Sequence, residues 1–498
     1  MPRAHGASED ARNTRDRHRL QPRHRAEPEL RGWHGSGFCM LGRCLRKSGG
    51  SISLSGPSDG QQLVFAEELM ELVGVRNWIM DASVIRIATE ELLINPHSFE
   101  HFRASNTQTF ALFTFNTPTK MSIGTGPQSW KAADVQNGNS WVLRLTPEEV
   151  EGFRTALAYA KANPKPLLDM TQADYPLPEA SKKALERAIA TTQARWGMCL
   201  VKGFPVDEWT EEDMRVAYWG MGLYMGVGRT QNRASEVIND VRDAGGSYKV
   251  KGGRGYNTNA GLDFHQDSAD VVALLCRRTA KEGGTSKVMS SIALHDRVAE
   301  LRPDLIPVLQ SNTWFHSFQG AQDPTQAPYY RCPIMGTSGG YFCARSNRKN
   351  TVAAQRDFPE VPRLTTQQEE ALDLFDTIMP TDEYCYTMEL ERGDMQLLNS
   401  FVTLHSRTPF EDYDLPDEKR HLMRLWLSIP SSQPLPAEWA EYWGDVRAGA
   451  VRGGVRGSAI TDAFLQYEKR QAEAMGMPLT GFKAIVTQEE MNKIVAAN

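Results

Sequence analysis

The feature that most constrains this chain is a pair of potential metal ligands, His265 and Asp267, followed well over a hundred residues later by His405. Side chains along a β-strand alternate between its two faces, so residues two apart point the same way. His265 and Asp267 can therefore bind one ion from a strand or its end, while Gln266 points away. Two histidines and one carboxylate form the facial triad that is typical of non-heme Fe(II), with other metal positions left open. The fold must then bring two distant segments to one point.

The His-x-Asp pair is a weak signal by itself. With 11 histidines in the chain, about one such pair is expected by chance. His265 is the only histidine in the sequence that has Asp two residues later. The alternative interpretation of the pair is a His–Asp hydrogen bond in a turn, so its assignment depends on the downstream residues.

A short run of apolar and aromatic residues at positions 420–429 ends at Pro430 and predicts a strand. With a period of two, Arg420 and Arg424 lie on one face, about 13 Å apart, and His421 lies on the other. An arginine within an apolar strand is costly unless it is paired. A guanidinium binds a carboxylate through two parallel hydrogen bonds. The pattern therefore predicts anion-binding arginines, although pairing with acidic residues of the protein is the alternative for each.

Four segments together carry a family resemblance: residues 265–267, 283–286, 405–410 and 420–424. With these segments the chain resembles the TauD/TfdA family of Fe(II)- and 2-oxoglutarate-dependent dioxygenases, within the clavaminate-synthase-like superfamily. The resemblance covers roughly residues 127 to 434. It implies an α+β fold with a double-stranded β-helix (jelly-roll) core flanked by helices. The predicted order of elements, with helices before a run of short strands, agrees with that fold.

The resemblance implies roles for individual residues. His265, Asp267 and His405 would be the catalytic iron ligands. Arg420 would hold the far carboxylate of 2-oxoglutarate, and the second arginine of the R-x-x-x-R pair, Arg424, would bind an acidic group of the primary substrate.

The cosubstrate hydroxyl is less well defined by the resemblance. The family usually has Gly-Gly-Asp-Thr at the second motif, where this chain has Gly-Gly-Thr-Ser. Ser286 would keep the hydroxyl that binds 2-oxoglutarate, but Thr285 or Ser290 could do the same.

The implied reaction uses Fe(II), 2-oxoglutarate and O2 to oxidise a small organic substrate, with release of succinate and CO2. Asp267 favours hydroxylation, desaturation or ring formation, because related halogenases lack this carboxylate. The alternatives are a non-catalytic jelly-roll protein and a cofactor-independent metal-binding protein. Arg420 at the expected place argues against both alternatives. The predicted primary substrate is a small molecule, and Arg424 makes an anionic group on it plausible.

Composition limits the partners and the compartment. The formal net charge of −5 gives no electrostatic case for nucleic acid. No apolar run approaches the ~20 residues that span a bilayer, so no membrane association is expected. Seven scattered cysteines without a C-x-x-C motif predict reduced thiols and a cytoplasmic location. The oligomeric state is not indicated.

The chain divides into four predicted parts. Residues 1–60 form an Arg-rich disordered extension, and residues 61–126 form a further N-terminal extension that is consistent with a mis-assigned gene start. Residues 127–434 form the dioxygenase domain, and residues 435–498 form a C-terminal helical tail packed on the core.

Four local patterns place elements and loops within the dioxygenase domain. The segment Thr146-Pro147-Glu148-Glu149 is a capping box, which predicts a helix to about Ala162. Residues 198–201 predict a strand, and residues 210–213 open another helix. Residues 318–352, rich in Gly, Pro, Gln, Asn and Ser, resemble substrate-binding loops.

Overall fold

We describe the protein from a computed structural model that covers residues 126–247, 250, 252–253, 255–481 and 486–497. The predicted extension of residues 1–60 lies outside these described residues, as does the predicted extension of residues 61–126 apart from its last residue. The statements below refer to the described part of the chain.

Helices flank the strands along the sequence. The α-helices are α1 Ala132–Asn137, α2 Pro147–Ala162, α3 Glu179–Thr192, α4 Glu211–Met225, α5 Ser291–Leu301, α6 Ile306–Gln310, α7 Arg348–Asp357, α8 Thr366–Ile378, α9 Ala440–Trp443, α10 Asp462–Ala474 and α11 Gln488–Ala496.

The strands are short and nearly all antiparallel. They are β1 Val142–Arg144, β2 Met198–Lys202, β3 Val227–Gly228, β4 Ile238–Val241, β5 Leu262–His265, β6 Val271–Arg278, β7 Glu282–Gly283, β8 Ser286–Ser290, β9 Phe315–Ser317, β10 Tyr329–Arg331, β11 Met335–Ser338, β12 Tyr341–Ala344, β13 Tyr386–Met388, β14 Met395–Asn399, β15 Thr403–Arg407, β16 Phe410–Glu411 and β17 His421–Ser428.

Two sheets form the core of the double-stranded β-helix. The larger sheet has the order β1-β2-β14-β6-β17-β3, with β4 also paired to β17, and the smaller has the order β13-β8-β15-β5. Buried side chains from both sheets pack in one cluster, including Val272 and Leu422 from the larger sheet and Val288 and Met388 from the smaller. The α+β jelly-roll fold is therefore as predicted.

Helices cover the outer face of the larger sheet. The α2 helix begins after Thr146, whose hydroxyl accepts a hydrogen bond from the Glu149 amide at 3.3 Å, while the Glu149 carboxylate accepts one from the Thr146 amide at 2.8 Å. This capping box satisfies two amides that have no partner within the helix. The helix ends at Ala162, as predicted. The strand predicted at residues 198–201 and the helix opened by Thr210 are confirmed as β2 and α4.

The C-terminal residues pack against the barrel. The Gly228 amide on β3 donates to the Tyr467 hydroxyl on α10 at 2.8 Å. Arg452 forms a fully buried ion pair with Asp270 at 2.8 Å. These contacts support the proposed packing of the tail, although its boundary at residue 435 remains a prediction. No helix of the described residues is long and apolar enough to cross a membrane.

Residues 318–352 are more regular than the sequence predicts. Strands β10, β11 and β12 and the start of α7 replace much of the predicted loop. The β11–β12 hairpin turns at Gly339 and Gly340, whose φ angles are +57° and +81°. Two consecutive positive φ angles are what a tight hairpin turn requires. The glycines therefore mark a turn between two strands rather than an extended loop.

Candidate active site

The barrel brings the two halves of the predicted triad together. His265 at the end of β5 lies directly opposite His405 on β15 in the antiparallel register. The ring centroids of the two histidines are 4.3 Å apart. Asp267 follows β5, and its carboxylate lies 3.8 Å from His265 Nε2 and 3.9 Å from His405 Nε2. Ligand atoms of all three residues lie within 4.8 Å of one another, so one ion can contact all three.

A backbone contact orients the first histidine. His265 Nδ1 lies 2.8 Å from the carbonyl oxygen of Asp263. A carbonyl can only accept a hydrogen bond, so Nδ1 carries the proton and Nε2 keeps its lone pair. Metal-binding histidines are commonly held in this way by a second hydrogen bond.

The carboxylate of Asp267 is held from one side. Its Oδ2 atom accepts hydrogen bonds from Arg424 Nη1 at 3.2 Å and from Trp426 Nε1 at 2.9 Å. No described residue donates a hydrogen bond to Oδ1, so this oxygen is left for a metal. Burial alone would raise the pKa of the Asp267 carboxyl, but Arg424 and the two neighbouring histidines lower it below its ordinary value. The side chain is therefore ionised, as a metal ligand must be.

The two histidines are neutral. Burial lowers the pKa of His405 to about 3, and the neighbouring His265 adds to this effect. Burial likewise lowers the pKa of His265, partly opposed by the charge of Asp267. Neutral imidazole is the form that binds a metal.

Gln266 points away from the metal position, as predicted from strand alternation. Its side-chain oxygen accepts a hydrogen bond from the Ser346 amide at 2.7 Å, and its side-chain nitrogen donates to Ser291 Oγ at 3.3 Å. Its own carbonyl accepts a bond from Arg345 Nη1 at 2.9 Å. The residue between two triad members is thus tied to the segment that follows β12.

A cavity of about 150 Å³ opens at the triad. Its described lining contains one carboxylate, Asp267, against five basic side chains. These are Arg345, Lys349, Arg407, Arg420 and Arg424. Because each histidine is neutral, the lining carries a net positive charge.

Arg420 faces the cavity without a partner for its charge. The side chain is buried, and no described residue accepts a hydrogen bond from its guanidinium; its Nη1 is fully enclosed and unbonded. The guanidinium lies over the Phe410 ring, 5.0 Å from the centroid. Gly284, at φ +74°, makes room for it, since a Cβ there would lie 2.9 Å from Arg420 Nε. The second glycine of the motif is thus required by the close approach of this arginine.

Ser286 also lines the cavity, where its hydroxyl lies 3.0 Å from Gln396 Nε2. The two alternative hydroxyls lie elsewhere. The Thr285 hydroxyl donates to Glu389 near the surface. The Ser290 hydroxyl caps α5 by accepting from the Ala293 amide. Among the three, the geometry favours Ser286.

Arg424 lies on β17 and lines the cavity together with Arg420, which immediately precedes the strand. Its Nε donates to Gln231 at 2.7 Å, in addition to the contact of Nη1 with Asp267. The strand prediction is confirmed at this point, because His421 on the opposite face bonds to Asp240 at 2.8 Å. Arg424 is thus both a cavity residue and a neighbour of a predicted metal ligand.

Sequence reasoning missed three groups of the site. Arg407 lies over Phe410 at 4.7 Å from the centroid. Its pKa is lowered to about 9 by burial and by the nearby Arg420. The period-two pattern of β15 could have found it, since residues 405 and 407 share a face. Gln396 and Arg345 lie in segments that carry no motif, so no sequence signal pointed to them.

The side chains fit an iron ion with 2-oxoglutarate. Two neutral imidazole nitrogens and one carboxylate oxygen are the donor set of non-heme Fe(II). The enclosed, unbonded Nη1 of Arg420 is a suitable partner for a carboxylate. The residues of this chain therefore supply both a set of metal ligands and a group that can bind the carboxylate of 2-oxoglutarate.

Comparison with known proteins gives one family match and two curated relatives. Residues 162–426 match the family model described as taurine catabolism dioxygenase TauD, TfdA family. FR-33289 synthase of Streptomyces rubellomurinus is 30% identical over 333 residues, which cover 64% of this chain and 95% of that protein. A taurine hydroxylase-like protein of Stachybotrys chartarum is 25% identical over 307 residues, which cover 60% and 77%.

Two solved structures are also similar. Asparagine oxygenase in complex with Fe(II), 3-hydroxyasparagine and succinate has a TM-score of 0.45 and 17% identity, covering 60% of this chain and 98% of that one. The non-heme iron oxygenase OrfP in complex with Fe and α-ketoglutaric acid has a TM-score of 0.44 and 16% identity, covering 57% and 93%.

Proposed function

We propose that His265, Asp267 and His405 hold the Fe(II) of a 2-oxoglutarate-dependent dioxygenase, since this chain belongs to the taurine catabolism dioxygenase TauD/TfdA family. The enzyme class and its cofactors follow from the family, and the residue assignments are our proposal. The observation that carries them is the convergence of two neutral imidazoles and one ionised carboxylate, from the end of β5, the residues just after it and β15, at one wall of a cavity.

When bound, Fe(II) and 2-oxoglutarate activate O2, so that one oxygen atom enters a small organic substrate and the other enters succinate, with release of CO2. The protein supplies orientation. His265 is fixed by the Asp263 carbonyl, and Asp267 by Arg424 and Trp426. The match to a dioxygenase family favours this function over a non-catalytic or cofactor-independent metal protein.

Arg420 binds the far carboxylate of 2-oxoglutarate in this proposal, and Ser286 adds a hydroxyl. A buried guanidinium without a protein acid gains its partner when the cosubstrate enters. The Gln396 amide contacts the Ser286 hydroxyl and holds this side chain at the cavity. The hydroxyl hydrogen can then turn from Gln396 towards the ligand.

The primary substrate carries an anionic group in this proposal. Iron and 2-oxoglutarate bring opposite charges of equal size, so the excess of basic side chains around the cavity remains after both have bound. Arg424 is one candidate contact for the anion, since it lines the cavity and its Nη2 donates to no described residue.

The five described cysteines are free and buried, which agrees with a reducing, cytoplasmic compartment.

An anaerobic titration of the apo-protein with Fe(II) and then 2-oxoglutarate tests the assignments. We expect a visible metal-to-ligand charge-transfer band in the wild type and no band in His265→Ala. In Arg420→Ala the band should require about 100-fold more 2-oxoglutarate, because two charge-assisted hydrogen bonds are worth about 3 kcal/mol together.

Matched controls separate these effects from general damage. His295→Ala and Arg392→Ala remove a histidine and an arginine that contact acidic side chains outside the cavity, and both variants should bind Fe(II) and 2-oxoglutarate like the wild type. A wild-type band that persists at full strength in His265→Ala would overturn the ligand assignment.

A further inference from the structure

Arg345 is a buried arginine that neither the triad nor the proposed cosubstrate site uses. It follows β12, is 3% exposed, and lines the same cavity as the triad. No described residue places a carboxylate within ion-pair distance of it. Its Nη2 donates to the hydroxyls of Tyr330 and Tyr442 at 3.1 and 3.2 Å, and its Nε has no hydrogen-bond partner.

The surroundings of Arg345 leave its charge uncompensated. All three of its hydrogen-bond acceptors are neutral: one backbone carbonyl and two phenol oxygens. A buried ion without a partner of opposite charge is strongly unfavourable. An anion that enters the cavity would compensate this charge through charge-assisted hydrogen bonds.

The two tyrosines can also donate to such an anion. Their rings stack at 4.0 Å between centroids, and the Arg345 guanidinium lies 5.1 Å from the Tyr442 centroid. Each hydroxyl accepts a bond from Arg345 through its oxygen, and the two hydroxyls also contact each other, so a hydroxyl hydrogen of this pair can turn towards an anion. The Tyr442 hydroxyl also contacts Ser268 Oγ. The guanidinium of Arg345 and the hydroxyls of Tyr330, Tyr442 and Ser268 thus converge at the cavity wall.

The location of this cluster suits a substrate rather than the cosubstrate. Arg345 is bonded to the carbonyl of Gln266, which lies between two of the proposed iron ligands. Arg420 has a different set of neighbours, Phe410 and Gly284, on the other part of the lining. Arg424 is paired with the Asp267 carboxylate, whereas every acceptor of the Arg345 guanidinium is neutral. Arg345 therefore offers the fuller receptor for a second anion.

We propose that Arg345, with the hydroxyls of Tyr330 and Tyr442, binds an oxyanion group of the primary substrate. The inference rests on the proposed function, because it takes the neighbouring triad and Arg420 as the sites of iron and 2-oxoglutarate. The ligand is a small molecule with a terminal carboxylate or a tetrahedral oxyanion. This subsite orients the substrate, and Arg345 is a substrate-binding residue.

Anion titration of the anaerobic Fe(II)·2-oxoglutarate holoenzyme tests the proposal. At saturating 2-oxoglutarate, inorganic phosphate and acetate are added separately at constant ionic strength, set with sodium chloride. We expect a saturable change of the charge-transfer band with one or both anions. In Arg345→Gln the anion Kd should rise at least tenfold, while the Kd of 2-oxoglutarate stays within about twofold.

The response to each anion identifies the substrate class. A stronger response to phosphate indicates a tetrahedral oxyanion, and a stronger response to acetate indicates a carboxylate. Tyr330→Phe, which removes one hydroxyl only, should weaken anion binding several-fold and serves if Arg345→Gln does not fold. Arg392→Gln is the matched control and should bind anions like the wild type.

Two results would overturn the proposal. One is an anion response in Arg345→Gln and Tyr330→Phe equal to that of the wild type; the other is the absence of any anion response in the wild type. Failure of the proposed function is separate, because then no band forms with 2-oxoglutarate before any anion is added.

Discussion

Four of the buried arginines in the described residues allow a comparison, two behind the barrel and two around the cavity; Arg424, also at the cavity, is paired with Asp267 and stands apart from them. Behind the barrel, Arg452 pairs with Asp270 at 2.8 Å and Arg229 pairs with Glu468. Around the cavity, no described carboxylate pairs with Arg345 or Arg420. All four side chains are at most 5% exposed. The groups differ in the partner and not in the depth of burial.

This difference separates structural charges from ligand-binding charges. A buried ion pair compensates its own desolvation, and removal of one partner leaves the other uncompensated. An unpaired buried guanidinium has no such partner in the protein, so its removal relieves a cost of folding and removes a ligand contact instead. Stability and binding should therefore respond in opposite ways to the same substitution in the two groups.

The largest effect is expected for Arg452→Met. The substitution leaves the Asp270 carboxylate buried with a single remaining backbone donor, the Ile429 amide. We expect the free energy of unfolding to fall by about 3–5 kcal/mol, as measured by urea denaturation of the apo-protein. Arg447→Met, whose side chain is 60% exposed beside Asp445, should cost less than about 1 kcal/mol. Equal costs for the two variants would break the comparison.

Arg420→Met should give the opposite pattern. The apolar side chain replaces an unpaired guanidinium of similar length, so the free energy of unfolding should change by no more than about 1 kcal/mol or rise. The affinity for 2-oxoglutarate should fall about 100-fold, or about 3 kcal/mol. Both quantities can be measured on one preparation, by urea denaturation and by anaerobic titration. A loss of stability as large as that of Arg452→Met would show that Arg420 has a structural role.

The smallest effect concerns a half-buried cluster in which Asp240 contacts His421 and Arg215. Burial would raise the pKa of Asp240, but the hydrogen bond from His421 and the charge of Arg215 lower it from 3.8 to about 2. Because the folded-state pKa is the lower one, the stabilisation is complete above about pH 4 and is lost as the pH falls towards 2. Asp240→Asn should cost about 2 kcal/mol at pH 7.

The test of this cluster is the pH dependence of that cost. The difference in the free energy of unfolding between Asp240→Asn and the wild type should shrink as the pH is lowered from 4 to 2.5. A difference that is constant over this interval would mean that a hydrogen bond, and not the charge of Asp240, stabilises the fold.

The part of the site that lies on regular strands could be predicted from the sequence. Arg424 on β17 and Arg420 immediately before it both face the cavity, as the alternation of side chains along a strand predicts from the residues themselves. The spacing of His265 and Asp267 is readable for the same reason. The roles of these residues remain proposals, but their placement at one cavity follows directly from the pattern.

The second guanidinium site could not be predicted, because it depends on packing between distant segments. Tyr330 lies on β10, Arg345 follows β12, and Tyr442 lies on α9, more than 90 residues further along the chain. No local spacing relates these three residues. The strands that hold Arg345 in place could not be predicted either. The glycine- and polar-rich composition of residues 318–352 is typical of loops as well as of tight turns between strands.

The hydrogen bonds of Gln266 have a consequence for redesign of the enzyme. Residues 318–352 lie outside the two main sheets, which suggests an exchangeable module for altering selectivity. However, Ser346 and Arg345 grip the side chain and the carbonyl of Gln266, inside the His-x-Asp segment itself. A graft that omits these two residues would disturb the neighbouring histidine and aspartate. A graft that keeps residues 345 and 346 native preserves the hydrogen bonds that join this segment to the proposed iron ligands.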